Sequence, residues 1–338
     1  MAIITWTGGD AANDLWSDPD NWDLGVAPVD GDDVVIPATA ASAEVLFDTS
    51  VAGSVLTLNS LVCHEPFRIT GDILNVNPGT PIEFTAGFTN QGGRLDLDAP
   101  TTASSLNISG GVTWGAGDFT VNGPSVWSNG GIYNSGDSPG GETFFNGTLA
   151  ISGNPVLEFR ELHLAGTTTW TSSVNMWQIA GGIIDILPGV AFNITHNAFM
   201  DIFAANGAER INNSGTINNN SPGETRIELP LNNQSTGVLE VVSGTFSLLA
   251  LPAVFGGLPN PLNYNGSTDT LTGGTWIVRD TGSSTVTLRW SGADIVNNAA
   301  NIILDGDSAV ITSLTGVNAL ANFATNAAAG GFTIQNGK

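Results

Sequence analysis

The chain has 338 residues and sets 31 acidic side chains against 8 basic ones, a formal net charge of −23. Only 12% of its residues are charged, about half the share of an ordinary globular domain. So acidic and cation-poor a surface repels phosphate backbones and anionic leaflets, which argues against nucleic-acid binding.

Residues 1 to 67 hold eleven acids and no cation. Within them stand Trp6-Thr7-Gly8, Leu15-Trp16-Ser17, Asn21-Trp22, Gly25, Pro28 and Asp32-Asp33-Val34-Val35-Ile36-Pro37. Aromatic pegs at Trp6, Trp16 and Trp22, spaced by Gly, Pro and Asp turns, have to pack before the first regular strand, Val34 to Ile36, begins. Residues 1–40 are therefore expected to form an N-terminal cap and entry segment. The pattern resembles the entry segment of large bacterial secreted and cell-surface proteins built as right-handed parallel β-helices, adhesin-like and of the autotransporter-passenger type. The resemblance implies an extracellular or cell-surface scaffold, and such proteins are cysteine-poor. Met1 to Thr5 lacks a basic n-region and an apolar run, so the native export signal is expected to have been removed ahead of this chain.

From residue 41 onward, short runs alternate apolar and polar residues: Val55 to Leu58, Arg94 to Leu97, Leu106 to Ile108, Phe119 to Val121, Thr148 to Ile151, Gly237 to Val241 and Thr285 to Leu288. They are too short for helices and right for strands. Gly-to-Thr-Trp cores recur at Trp114, Trp170 and Trp276, and Asn-rich turns recur at Asn212-Asn213, Asn218 to Asn220, Asn232-Asn233 and Asn297-Asn298. Degenerate repetition of this kind predicts a solenoid, with Asn side chains laddering between coils. The expectation is an all-β, right-handed parallel β-helix over residues 41–338, handedness following the bias of parallel crossovers. At roughly 20 to 30 residues per coil it makes about a dozen coils. Leu251 to Pro261 reads as a loop packed on the column, Val317 to Ala329 as the one stretch with helical character, and Phe332 to Ile334 as a strand at an uncovered edge. On that reading the chain is the N-terminal part of a longer surface protein.

Chemistry is sparse. Lone Cys63 reads as a small buried hydrophobe and excludes an internal disulfide. His64, His163 and His196 lack paired zinc spacing, and no nucleophile elbow is present. Glu158 and Glu161 are the best local acid pair, but within one strand their odd spacing would point them to opposite faces. No cofactor is expected. Calcium is the one small-ion proposal, with Asp18, Asp20, Asp30, Asp32 and Asp33 in turns as candidate ligands. No apolar stretch reaches the ~18 residues of a transmembrane helix. The leading expectation is a non-enzymatic structural or adhesive module, whose partners are cell-surface carbohydrate or neighbouring copies of itself. The alternative is a carbohydrate-binding or polysaccharide-degrading β-helix protein, with Trp127, Tyr133 and Trp177 stacking on sugar rings.

Overall fold

Apolar and small polar residues alternate over three to six positions and are then broken by Gly, Asn or Asp, so each segment can hide only one side of a strand. In the computed structural model these strands pair in parallel with their counterparts one coil on. The chain is an all-β parallel solenoid of about 11 turns, close to the dozen expected. Among the described residues helix is confined to two 3-10 turns, Pro19–Asn21 and Ala253–Phe255. The structure describes residues 2–10, 13–38, 44–48, 54–134, 140–171, 177–204, 207–282 and 285–337, with only the backbone of 177, 178 and 255. Two compact units are distinguished, Met1–Ala150 with Pro155–Leu162, and Ile151–Asn154 with His163–Lys338.

The first unit has three parallel faces. Face A runs through Ile3–Thr5, Asp33–Ile36, Ser60–Cys63, Ile82–Phe84, Thr101–Ala103, Phe119–Val121 and Glu142–Phe145. Face B runs through Val55–Leu58, Ile73–Val76, Arg94–Asp96, Val112–Trp114, Gly131–Tyr133 and Val156–Glu158. Face C runs through Val45–Phe47, Phe67–Ile69, Phe88–Asn90, Leu106–Ile108 and Ser125–Trp127. Their inward residues form one core: Val34, Leu61 and Cys63 from face A, Leu56, Leu74 and Leu95 from face B, Phe47, Phe67 and Phe88 from face C. Each such side chain contributes roughly 1.5–3 kcal/mol of burial. Phe84 stacks on Phe88 at 4.9 Å and packs tilted against Phe67 at 5.5 Å, so aromatic packing passes from coil to coil. At the corner after Val112–Trp114 only glycine fits, because Gly115 has φ +136 and a Cβ there would stand 2.6 Å from the Leu97 carbonyl carbon.

The entry segment meets the first edge of each face at one residue, Thr5, Leu46 or Thr57. Ile3–Thr5 lies parallel on Asp33–Val35 of face A, and its own outer side is met by Asp23, whose Oδ1 accepts the Thr5 N–H at 2.9 Å. On face C, Leu15 bridges Leu46; the Trp16 N–H donates to the Leu46 carbonyl at 2.8 Å and the Leu46 N–H to the Asp14 carbonyl at 2.9 Å. On face B the Thr57 N–H donates to Asp30 Oδ1 and the Gly31 N–H to the Thr57 carbonyl, both at 2.8 Å. Inside this collar Trp22 packs edge-on against Trp6 at 5.0 Å and Trp16 at 4.7 Å. Trp16 continues onto Phe47 at 5.4 Å. The Trp22 Nε1–H donates to the Trp16 carbonyl at 2.8 Å. The expected Trp-rich cap is present as this buried aromatic cluster.

In the second unit face A holds Ile183–Ile186, Arg210–Asn213 and Leu231–Asn233. Face B holds Trp177–Ala180, Phe199–Ala204, Glu224–Ile227, Thr245–Leu248, Val286–Trp290 and Ala309–Ser313. Face C runs from Thr168–Trp170 through Ala191–Ile194, Thr216–Asn219, Val238–Val241, Thr270–Arg279 and Asn297–Asp305, which Thr325–Asn326 and Gly331–Gln335 then join. The expected ladders form: Asn213 Nδ2 donates to Asn233 Oδ1 at 2.8 Å inside, Asn232 to Asn212 at 3.1 Å and Asn218 to Asn193 at 3.0 Å outside. Face A stops where the Asn263 amide imitates a strand, accepting the Asn233 N–H at 2.6 Å and donating to the Asn233 carbonyl at 3.0 Å. The loop over Leu251 to Pro261 packs only in part. Leu251 and Asn260 are buried, whereas Val254 is 81% exposed.

Three expectations are corrected. Val317 to Ala329 is not helical: it makes turns and the short strand Thr325–Asn326. Asn318 Oδ1 takes the Leu320 N–H at 3.0 Å and Asn322 bonds Asp294, so side chains compete for the groups a helix would need. The Gly-to-Thr-Trp cores are not one repeat position, since Trp114 points outward on face B while Trp170 and Trp276 are buried on face C. Coil length varies, hydrogen-bonded neighbours being 18 residues apart at Asp98 and Ala116 but 27 at Asp185 and Asn212, so identical words land on different faces. Finally, Glu158 and Glu161 do not share a strand, because Phe159 at φ +50 turns a corner between them.

Candidate functional site

Strand alternation on face B of the first unit buries Leu95, Thr113, Ile132 and Leu157 and turns Arg94, Trp114, Tyr133 and Glu158 toward the outside. Register sets Asp96 opposite Trp114, Trp114 opposite Tyr133, and Tyr133 opposite Glu158, one row across four coils. The Trp114 and Tyr133 rings meet edge to face at 5.7 Å. The Arg94 guanidinium lies 4.7 Å over the Trp114 ring and forks onto Asp96, with Nη2 donating to Oδ2 at 3.0 Å and Nε to Oδ1. Burial pushes the Asp96 carboxyl up despite the hydrogen bond and charge of Arg94, and burial together with Glu158 pushes the Tyr133 phenol up. Aromatic rings beside a planar guanidinium and carboxylates can stack on the C–H faces of a sugar and bond its hydroxyls.

Of the aromatics expected to meet sugar, only Tyr133 stands in this row. Trp127 is fully buried, with its Nε1–H directed at the Gly130 carbonyl at 3.4 Å, because the Ser125–Trp127 strand places it inward. The Trp177 side chain lies outside the described residues. Trp114 was legible only as a repeat mark, and its pairing with Tyr133 needs coil lengths that the sequence does not print.

The aspartates proposed for calcium work as acceptors in the entry segment. Asp32 is buried, taking the Ala2 N–H on Oδ1 at 3.0 Å and the Val29 N–H on Oδ2 at 3.1 Å. Asp33 Oδ1 takes Ser60 Oγ–H and Asn59 Nδ2–H, each at 2.6 Å, and these hold its carboxyl below the usual range. Asp18 is held low in the same way by the Asn13 amide at 2.9 Å and then by the Asp20 N–H at 3.0 Å. Asp30 meets the first edge of face B, and Asp20 is exposed on the 3-10 turn. Among the described residues none of the five belongs to a group of three or more Asp, Glu, His or Cys whose ligand atoms lie within 4.8 Å. These are turn and edge acids of the kind Asp supplies locally.

A carboxyl pair that sequence reading missed lies on face B of the second unit. Phe199 stands opposite Arg226 and Met200 opposite Ile227; the Glu228 N–H follows onto the Met200 carbonyl at 3.0 Å, bringing Glu228 beside Asp201. Burial, then the hydrogen bond with Asp201, pushes the half-buried Glu228 carboxyl up to about 7. Because the folded value lies above the ordinary 4.5, the native state holds this proton more tightly than the unfolded chain. The stability it contributes is full below pH 4.5 and is lost as pH rises through 7. With solvent screening this amounts to ~1 kcal/mol or less. Replacing Glu228 with Gln is expected to flatten the unfolding midpoint across that window, and an unchanged slope in denaturant titrations would show that Glu228 titrates normally.

Among the described residues no helix is long and apolar enough to cross a membrane. Set against family models, curated proteins and solved structures, the chain matches none.

Proposed function

We propose that the chain is a non-enzymatic structural and adhesive module of the extracellular or cell-surface, adhesin-like kind, and that its first unit grips carbohydrate. What carries the reading is the outward row of Trp114, Tyr133 and Glu158, with Arg94 laid on the Trp114 ring and held by the covered Asp96. The rings supply a stacking platform that spans coils, and the guanidinium and carboxylates beside them supply the planar donors and acceptors that hydroxyls need. A net charge of −23 favours neutral or cationic glycans over acidic ones. Titrating the chain with soluble neutral polysaccharides is expected to show binding that Trp114→Ala weakens roughly tenfold, the loss of one stacked ring and its cation–π contact. The fold should be untouched, since the ring sits outside the core. Full affinity in both Trp114→Ala and Tyr133→Ala would remove the site.

One observation favours polysaccharide cleavage instead. Glu228, its carboxyl pushed up to about 7 by burial and by its hydrogen bond with Asp201, has the pairing that general acid catalysis uses. Release of reducing ends in the same titrations, abolished by Glu228→Gln, would establish that reading over the adhesive one.

A further inference from the structure

In the strand Gly131–Tyr133 the middle residue, Ile132, points into the core, so alternation turns positions 131 and 133 outward. Gly131 belongs to the outward row of Arg94, Val112, Gly131 and Val156, which runs beside the row of Trp114 and Tyr133. Arg94, Val112 and Val156 are partly exposed, whereas Gly131 is buried although it faces out. What covers it is the Tyr133 ring. A Cβ on Gly131 would stand 2.2 Å from Tyr133 Cε1, 2.4 Å from Cζ and 2.7 Å from the phenol oxygen. The ring is folded back along its own strand into the space that any other residue at 131 would fill.

The backbone does not require glycine there. Gly130 has φ +72, where glycine is favoured, but Gly131 lies outside the left-handed region and its partners in register are valines. Glycine weakens a strand interior, and what its missing side chain provides here is room for the ring. Trp114 meets that ring at 5.7 Å with the two planes 81° apart, and the Arg94 guanidinium, fixed by its fork onto Asp96, braces Trp114 from 4.7 Å over its ring. Two planes at nearly a right angle form a corner. They can hold one sugar ring, with one plane against its C–H face and the other against its rim, but consecutive sugars would need aromatic rings lying level.

We propose that Gly131 is the positioning residue of this site, and that the corner it creates seats a single pyranose ring of a neutral glycan rather than a run of them. The inference rests on the carbohydrate reading above and names what that site selects. Gly131→Ala removes no ring and no polar group, and the atoms its methyl displaces are the far end of a side chain. The fold is therefore expected to hold, with a urea midpoint equal to or above the parent's, because replacing glycine where the backbone permits it stabilises. Affinity for the neutral polysaccharide that the parent binds should nevertheless fall about tenfold, as in Tyr133→Ala.

In a Tyr133→Ala background Gly131→Ala should cost no further affinity, which separates positioning of the ring from any other effect of the methyl. Should Gly131→Ala lower the midpoint instead, the double variant should restore it, since the group the methyl meets is gone. Oligosaccharides cut from the same polysaccharide, from disaccharide to hexasaccharide, should bind the parent alike. Absence of any binding by the parent overturns the carbohydrate reading and this inference with it. Binding that Trp114→Ala weakens but Gly131→Ala leaves intact overturns the inference alone. So does a loss from Gly131→Ala, in affinity or in midpoint, that persists undiminished without the Tyr133 ring, and so does affinity that climbs with each added sugar.

Discussion

Replacing Trp16 with Ala is expected to destabilise the protein by ~3–5 kcal/mol, the cost of deleting a large aromatic from a packed core. Trp16 is fully buried and is the hub of the entry cluster, touching Trp22 at 4.7 Å, Phe47 at 5.4 Å and Phe67 at 6.0 Å. Its backbone also belongs to the bridge that meets the first edge of face C. A cavity there therefore loosens the packing and the bridged edge together, and raises exposure of strand edges prone to pair with other chains. Trp16→Phe should cost much less, because its buried Nε1 has no hydrogen-bond partner among the described residues. Urea titration of both variants measures the difference. A loss below about 0.5 kcal/mol for Trp16→Ala, the level of an ordinary surface change, would mean that the cluster is not part of the core.

Arg160→Ala is expected to cost at least as much, on the order of 4 kcal/mol, because several buried acceptors lose their donor at once. Arg160 has no solvent exposure, a rare place for this residue type. It sits just past the Phe159 corner and ties three coils of the first unit together. Nη1 donates to the Gly115 carbonyl at 2.7 Å, Nη2 to the Gly117 carbonyl at 2.6 Å and the Glu142 carbonyl at 2.9 Å, and Nε to Thr143 Oγ1 at 2.6 Å. Burial draws its pKa down to about 10 while Asp118 and Glu142 hold it up, so the guanidinium stays charged at neutral pH. Gly141 completes the pocket, since a Cβ there would come 2.7 Å from Nη1. Arg160→Met separates the causes. Methionine fills much of the volume but bonds none of the carbonyls, so it should be nearly as unstable as alanine. A methionine variant as stable as the parent would show that packing, not hydrogen bonding, is the source.

The fold class could be read from the chain because it depends on local chemistry. Runs such as Leu106 to Ile108 and Phe119 to Val121 can only make half-buried strands, and the Asn pairs at 212–213 and 232–233 sit where parallel coils stack amides. The entry cluster was readable for the same reason, since three tryptophans among turn residues have nowhere else to bury. The helix expected over Val317 to Ala329 failed because alanine content outweighed the Asn side chains that capture backbone groups there.

What only the tertiary structure decided is which distant residues become neighbours. The turns between strands vary by many residues, so counting by twos from one strand does not give the inward side of the next. The sequence therefore could not say that Trp114 faces out while Trp170 faces in, that Tyr133 joins it, or that Arg160 reaches the carbonyls of Gly115 and Gly117. Asp201 and Glu228 meet for the same reason, one coil apart in space and 27 positions apart in the chain. Strand identity is a local property carried by alternation. Register depends on the turns between strands, and the row on the first unit and the carboxyl pair both follow from register.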